Sequence, residues 1–148
     1  MSFHLRPAKS TDVPRIRALI RAVQINPLGL NWEHFILAVN PQDEMIGCGQ
    51  VKNHSDGSRE LASIAVAPAW RGKGVARAII EKLLEAHPGD LYLTCRASLQ
   101  PFYERFGFEA IETPQMPSYF RRISRLVRAL GVLRIVDQKL LVMKKKAA

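Results

Sequence analysis

The chain has 148 residues, 47% of them apolar and 24% charged, with a formal net charge of +9. That length suits one domain with a continuous core, and the balance excludes a disordered chain. No apolar run approaches the roughly 18–20 residues of a membrane span.

The charge is uneven. Residues 121–148 hold nine Lys or Arg and one acid, whereas the first 120 hold 13 basic and 12 acidic side chains. Basicity therefore belongs to the C-terminal segment. Residues 1–6 lack the apolar core of a signal peptide, which implies a cytoplasmic protein. Cys48 and Cys95 and the histidines at 4, 34, 54 and 87 show no zinc-ligand spacing, so buried thiols in a reducing compartment are expected.

In chain order, residues 3–6 alternate as a short first strand. Thr11-Asp12 offers an N-cap ahead of Pro14, and Val13, Ile16, Ile20 and Val23 recur on one helical face. Asn26-Pro27-Leu28-Gly29 breaks that helix. Residues 35–39 and 45–52 read as strands joined by a turn at 40–43, with Gly47 and Gly49 weakening the second or marking a bulge. Asp56-Gly57 makes the next turn, and 61–66 is an apolar run suited to a buried central strand. Val75, Ala76, Ile79, Ile80, Leu83 and Leu84 then define an amphipathic helix stopped by His87-Pro88-Gly89. Residues 91–95 form a strand, 99–106 a short helix ending at Gly107, and 108–112 another strand. Residues 113–137 open with Pro114 and Pro117 and continue as an amphipathic helix from about Ser118, before a last strand at 139–143. The alternation predicts a mixed α/β or α+β domain.

Between strand 61–66 and the helix at Val75 lies Pro68-Ala69-Trp70-Arg71-Gly72-Lys73-Gly74. Glycines let successive N–H groups turn toward one point, and a helix N-terminus adds positive potential there. Arg71 and Lys73 supply full charges suited to a pyrophosphate. Alone, such a turn is either an anion site or a solvated loop. It has neither the Gly-x-Gly-x-x-Gly dinucleotide pattern nor the Gly-Lys-Ser/Thr ending of nucleotide loops.

Arg71-x-x-Gly74-x-Ala76, following Val66-Ala67-Pro68, resembles the coenzyme A pyrophosphate motif of the GNAT N-acetyltransferase superfamily. Phe102-Tyr103-Glu104-Arg105-Phe106-Gly107-Phe108 resembles that family's short helix and following strand beside the cofactor's thiol. The likeness runs from Leu5-Arg6-Pro7-Ala8 to about Glu112, and 139–144 fits the family's final strand. It implies a single acetyltransferase domain over 1–148, with a mixed α/β, mostly antiparallel and splayed sheet flanked by helices. Residues 113–137 become a basic helical insertion before the last strand. The cosubstrate implied is acetyl-CoA, with no metal. Its pantetheine would bond the backbone at Ile64, Ala65 and Val66 like an added strand. Its pyrophosphate would sit beside Arg71 on the N–H groups of Gly72, Lys73, Gly74, Val75 and Ala76. Many relatives carry an Asn before the tyrosine helix. Here Arg96, Ser98 or Gln100 stands in its place, and Ser98 is also the natural N-cap.

Acetyl transfer to an amine must strip a proton from the ammonium, offer a donor to the carbonyl oxygen, and support the leaving sulfur. The resemblance assigns the Val66 N–H to the oxygen and Tyr103 to the sulfur. Glu60, at the entry to strand 61–66, is the candidate base, acting through water; its other reading is a solvated charge at a strand end. Thr94 stands where relatives acting on protein N-termini often have a carboxylate, which disfavours that specificity. Trp32, Phe35 and Leu30 either line an acceptor pocket or belong to the core, and Trp70 is a partly exposed packing residue. Ser63 has no His and acid at a suggestive spacing.

Tyr119, Phe120, Ile123, Leu126, Val127 and Leu130 follow helical spacing, with Arg121, Arg122, Arg125 and Arg128 largely on the other face. A docked helix with solvated arginines, a border of the acceptor site favouring a negatively charged acceptor, and a contact in a homodimer all fit. Nucleic acid and membrane have only the tail's charge in their favour. The expected function is an N-acetyltransferase acting by direct attack of a primary amine, of a small molecule or protein, in a ternary complex. The alternative is a catalytically weak coenzyme A-binding module that regulates a partner through the basic helix.

Overall fold

The expected alternation of strands and helices is realised in the computed structural model, which describes residues 1–130 and 140–146. The chain divides into two units, Met1–Lys52 with Leu61–Pro88, and Asn53–Glu60 with Gly89–Ala148.

The first unit holds β1 (His4–Pro7), α1 (Val13–Ala22), β2 (Phe35–Val39), β3 (Met45–Asn53), most of β4 (Arg59–Val66) and α2 (Val75–Ala86). β1 and β2 run antiparallel with Arg6 opposite Leu37, β2 and β3 antiparallel with Leu37 opposite Cys48, and β3 neighbours β4. Ile16, Leu19 and Ile20 of α1 pack with Phe35, Leu37, Val39, Cys48 and Ala65. Each of the Ile, Leu, Val and Phe side chains among them contributes about 1.5–3 kcal/mol by leaving water. Phe35 is thus a core residue, while Leu30 and Trp32 pack against that core half-buried.

Of the two glycines, Gly47 borders a bulge in its own strand and Gly49 does not: Ala38 faces Gly47 and Val39 faces Met45, which leaves Ile46 of β3 as the extra residue. Both glycines are required by the close approach of other side chains. A Cβ at Gly47 would stand 2.7 Å from Val75 Cγ1, and one at Gly49 would stand 2.6 Å from Ile64 Cδ1 and 2.7 Å from Ile79 Cγ2. These glycines let α2 lie directly on the backbone of β3, which fixes where the helix begins.

Asp12 does not cap α1 with its side chain; it is fully buried and receives N–H groups from elsewhere. Arg6 grips it through two bonds of 2.8 and 3.0 Å, the Lys9 N–H donates at 2.8 Å, and Arg15 also pairs with it. The Arg6 hydrogen bond, above all, holds the Asp12 carboxyl far below the usual carboxylate range.

The second unit holds β5 (Leu91–Arg96), α3 (Gln100–Glu104), β6 (Glu109–Ala110), α4 (Ser118–Leu130) and β7 (Leu140–Lys145). β7 lies between β5 and β6, antiparallel to both, so that Met143 faces Leu93 and Ala110. Glu60, at the start of β4, pairs in parallel with Tyr92 of β5. Tyr92, Met116, Phe120 and Val142 form the local core.

The fold is mixed α/β with mostly antiparallel strands. Several expectations are corrected in detail. The strand expected over 108–112 is only Glu109–Ala110. Ser98 is not an N-cap: it lies within the 3-10 turn Ala97–Leu99, and Leu99 precedes α3. Leu126, expected on the apolar face of α4, is 54% exposed, because Phe120 supplies the buried anchor. Lys139 and residues 131–137 of the expected insertion lie outside the described residues.

Candidate active site

In the first unit, β4 runs into the 3-10 turn Pro68–Trp70 and then the loop at 71–74. Ala67 N–H bonds Ile46 O at 2.8 Å, and Trp70 N–H bonds Ala67 O at 2.8 Å, so the chain enters the loop from a fixed point. Gly72 (φ +74°) and Gly74 (φ +81°) both take the left-handed conformation open mainly to glycine. A side chain built at either would meet nothing within 4 Å, so the loop is not held in this shape by protein packed against it.

Val75 is fully buried and anchors the first turn of α2. The first helical bond runs from Ala78 N–H to Gly74 O at 3.1 Å. The preceding N–H groups are the unpaired donors that begin every α-helix. Arg71 and Lys73 are exposed and make no ion pair with a described residue. Exposed cations beside a helix N-terminus whose first N–H groups lack helical partners are an arrangement that favours an anion. Arg71, Gly72, Lys73, Gly74, Val75 and Ala76, the residues expected to hold a pyrophosphate, lie on this loop and the first turn of α2.

Upstream, Ser63 has φ +59°, a left-handed residue inside β4. Its hydroxyl accepts a hydrogen bond from Gln50 Nε2 at 2.9 Å, and its carbonyl accepts the Cys48 thiol at 3.5 Å. Gln50, unmarked in the sequence, thus braces the strand, and its Nε2 also reaches Gly29 O at 3.2 Å. Ser63 is thus a local irregularity within β4, which continues as strand through Ile64, Ala65 and Val66. Burial pushes the Cys48 thiol up to about 12 and the Cys95 thiol up to about 11, so both stay protonated and inert.

In the second unit, Glu60 is no solvated charge. Its side chain is only 10% exposed, and its Oε1 lies 2.8 Å from His54 Nε2. The His54 ring stacks on Tyr119 of α4, centroids 3.5 Å apart and planes 14° from parallel, and meets Phe120 edge-on. Burial, then the charges of Glu60 and Asp56, raise the Tyr119 phenol above its ordinary value. His54 and Tyr119 escaped sequence reasoning. The Asp56-Gly57 turn signals that His54 and Glu60 flank one hairpin, but nothing in the order of residues announces Tyr119.

Tyr103 sits on α3 with ring contacts to Phe102 and Phe108. Burial, with the neighbouring Cys95, pushes its phenol up to about 12. Ser98 is exposed in the turn before α3. Among the described residues no three His, Cys, Asp or Glu side chains are grouped to hold a metal ion, and no helix is long and apolar enough to cross a membrane.

A mixed α/β fold with a glycine-turned loop at the start of a helix is compatible with an enzyme that takes a phosphate-bearing cosubstrate. The sequence model of the acetyltransferase (GNAT) domain matches residues 31–110, and the chain belongs to this acetyltransferase family. It is 29% identical over 147 residues to the amino-acid acetyltransferase of Mycobacterium tuberculosis, covering 90% of this chain and 83% of that protein. The fold is shared with a Mycobacterium tuberculosis protein in complex with CoA, at TM-score 0.71 and 21% identity over 98% of this chain and 99% of that one. It is also shared with N-acetylglutamate synthase from Neisseria gonorrhoeae complexed with coenzyme A and N-acetyl-glutamate, at TM-score 0.74 and 20% identity. That match covers all of this chain but 36% of the synthase.

Proposed function

We propose that this acetyltransferase moves the acetyl group of acetyl-CoA to the primary amine of a small amino-acid-like acceptor, by direct attack in a ternary complex. The observation that carries the cosubstrate is the loop at 71–76, with two left-handed glycines opening onto unobstructed space before the N-terminus of α2. The amino-acid class of acceptor is supported by the activity of the Mycobacterium tuberculosis relative.

Acetyl-CoA, when bound, supplies an acyl group already activated as a thioester. Arg71 and Lys73, with the N–H groups of Gly72, Gly74, Val75 and Ala76, would hold its pyrophosphate. The backbone of Ile64, Ala65 and Val66 would take the pantetheine amides, with Ser98 as a further contact. The Val66 N–H is the donor for the acyl oxygen. Tyr103 keeps its proton: a phenol at about 12 is not deprotonated by a thiolate whose conjugate acid lies near about 8.5. It therefore stabilises the departing sulfur by a hydrogen bond rather than by complete proton transfer. Glu60 receives the ammonium proton of the acceptor, which frees the lone pair for attack.

Release of free coenzyme A thiol, followed across a panel of amino acids, tests this reading. Turnover with at least one amino acid is expected. Tight coenzyme A binding with no turnover on any amine would instead favour a regulatory module.

A further inference from the structure

Glu60 belongs to a chain of contacts that ends on the basic helix. Asp56 Oδ1 accepts Ser58 N–H at 2.9 Å and Ser58 Oγ at 2.6 Å, while its Oδ2 accepts Tyr119 N–H at 2.9 Å and Ser118 Oγ at 3.2 Å. Asp56 thus closes its own turn and satisfies an unpaired donor at the start of α4. The turn is secured from the other side by His54 N–H to Ser58 O at 2.9 Å and Gly57 N–H to His54 O at 3.0 Å. These bonds bring Tyr119 flat against the His54 imidazole, and the imidazole edge to Glu60.

An ionised carboxylate only accepts hydrogen bonds. Nε2 of His54 must therefore carry the proton, and Glu60 Oε1 is committed to it. We infer that His54 is a positioning residue for Glu60, held in place by the Tyr119 ring. It fixes the carboxylate in one rotamer and leaves Oε2 as the atom that meets the acceptor's proton. The basic helix α4 then serves the reaction through Tyr119, whatever its arginines bind. A buried carboxylate without this partner would turn between rotamers, and a displacement of about 1 Å at a catalytic group costs on the order of 100-fold in rate.

The inference rests on Glu60 acting as the base, and the two fail separately. In the full-length protein, Glu60→Gln should lower kcat by about 100-fold or more. His54→Ala should lower kcat by about 10- to 100-fold with the acetyl-CoA Kd from calorimetry unchanged. His54→Gln, which places an amide N–H where Nε2 stood, should recover most of that loss. Tyr119→Leu should reproduce the His54→Ala defect. Nitrogen-15 spectra of histidine-labelled protein should show His54 protonated at Nε2. Wild-type kcat in His54→Ala beside a disabled Glu60→Gln would overturn the positioning role alone. So would a His54→Gln variant as impaired as His54→Ala at equal thermal stability, or a tautomer protonated only at Nδ1. Full activity in Glu60→Gln would overturn the base reading and the inference with it. If His54→Ala does not fold, the His54→Gln and Tyr119→Leu kinetics and the tautomer decide.

Discussion

The loop at 71–76 and the cluster around Glu60 reach function by different routes. The groups proposed to act in the loop belong to six consecutive residues, mostly exposed, and are backbone N–H groups and two cations that pair with no described acid. The cluster draws on residues 54, 56, 60 and 119, and its useful part is a side chain almost withdrawn from water. A local site tolerates change around it, because its donors come with the helix. An assembled site depends on every contact that brings its members together.

That difference sets the size of expected effects. The largest, about 100-fold or more in kcat, is the Glu60→Gln loss given above. Next, Gly74→Val places a β-branched residue at φ +81° and should weaken coenzyme A binding by roughly 30-fold in calorimetry. It should leave the His54 tautomer unaltered; a change there would break the separation drawn between the sites. Arg71→Ala should cost about 10-fold in coenzyme A affinity, with a flatter salt dependence than the parent. Asp56→Ala removes a cap and should cost only about 1 kcal/mol in urea unfolding, yet should lower kcat because Tyr119 loosens.

The acid limb of stability sharpens the picture further. Asp12 and Asp56 both have carboxyls lowered below their ordinary value, the first chiefly by Arg6 and the second chiefly by Ser58. The unfolded chain binds protons there first, so stability rises with pH in that range. Their contribution is complete above the unfolded carboxylate value of about 3.9 and is lost as pH falls below it. Urea midpoints measured from pH 7 down to 3 should therefore drop below about pH 4, and Asp12→Asn should flatten that drop. Breaking the buried Arg6–Asp12 pair should itself cost about 3 kcal/mol at neutral pH.

Much of this molecule was legible in its sequence. The strand at 35–39 matches β2 at both ends, and of the six apolar residues expected along α2, Val75, Ile79, Ile80 and Leu83 are buried while Ala76 and Leu84 are half-buried. The glycine pattern of the loop was legible because left-handed φ is a property of single residues. Gly47 borders the bulge that its place in the strand suggested, but Gly49 was misread, because its reason lies in α2 and β4, whose side chains occupy the space a Cβ would need. Asp12 was misread for the same kind of reason, since its partner Arg6 competes with the cap.

By itself, the sequence determined the order of elements, the glycine-rich loop before α2 and the acetyltransferase likeness, all of which depend on residues close together in the chain. It also named Glu60 and Tyr103 as candidates. Only the tertiary structure decided their surroundings: a phenol pushed up to about 12 by burial, and a carboxylate joined to His54. The physical reason is that desolvation and hydrogen-bond partnership are set by what packs nearby, and Tyr119 reaches the ring of His54 from 65 positions along the chain.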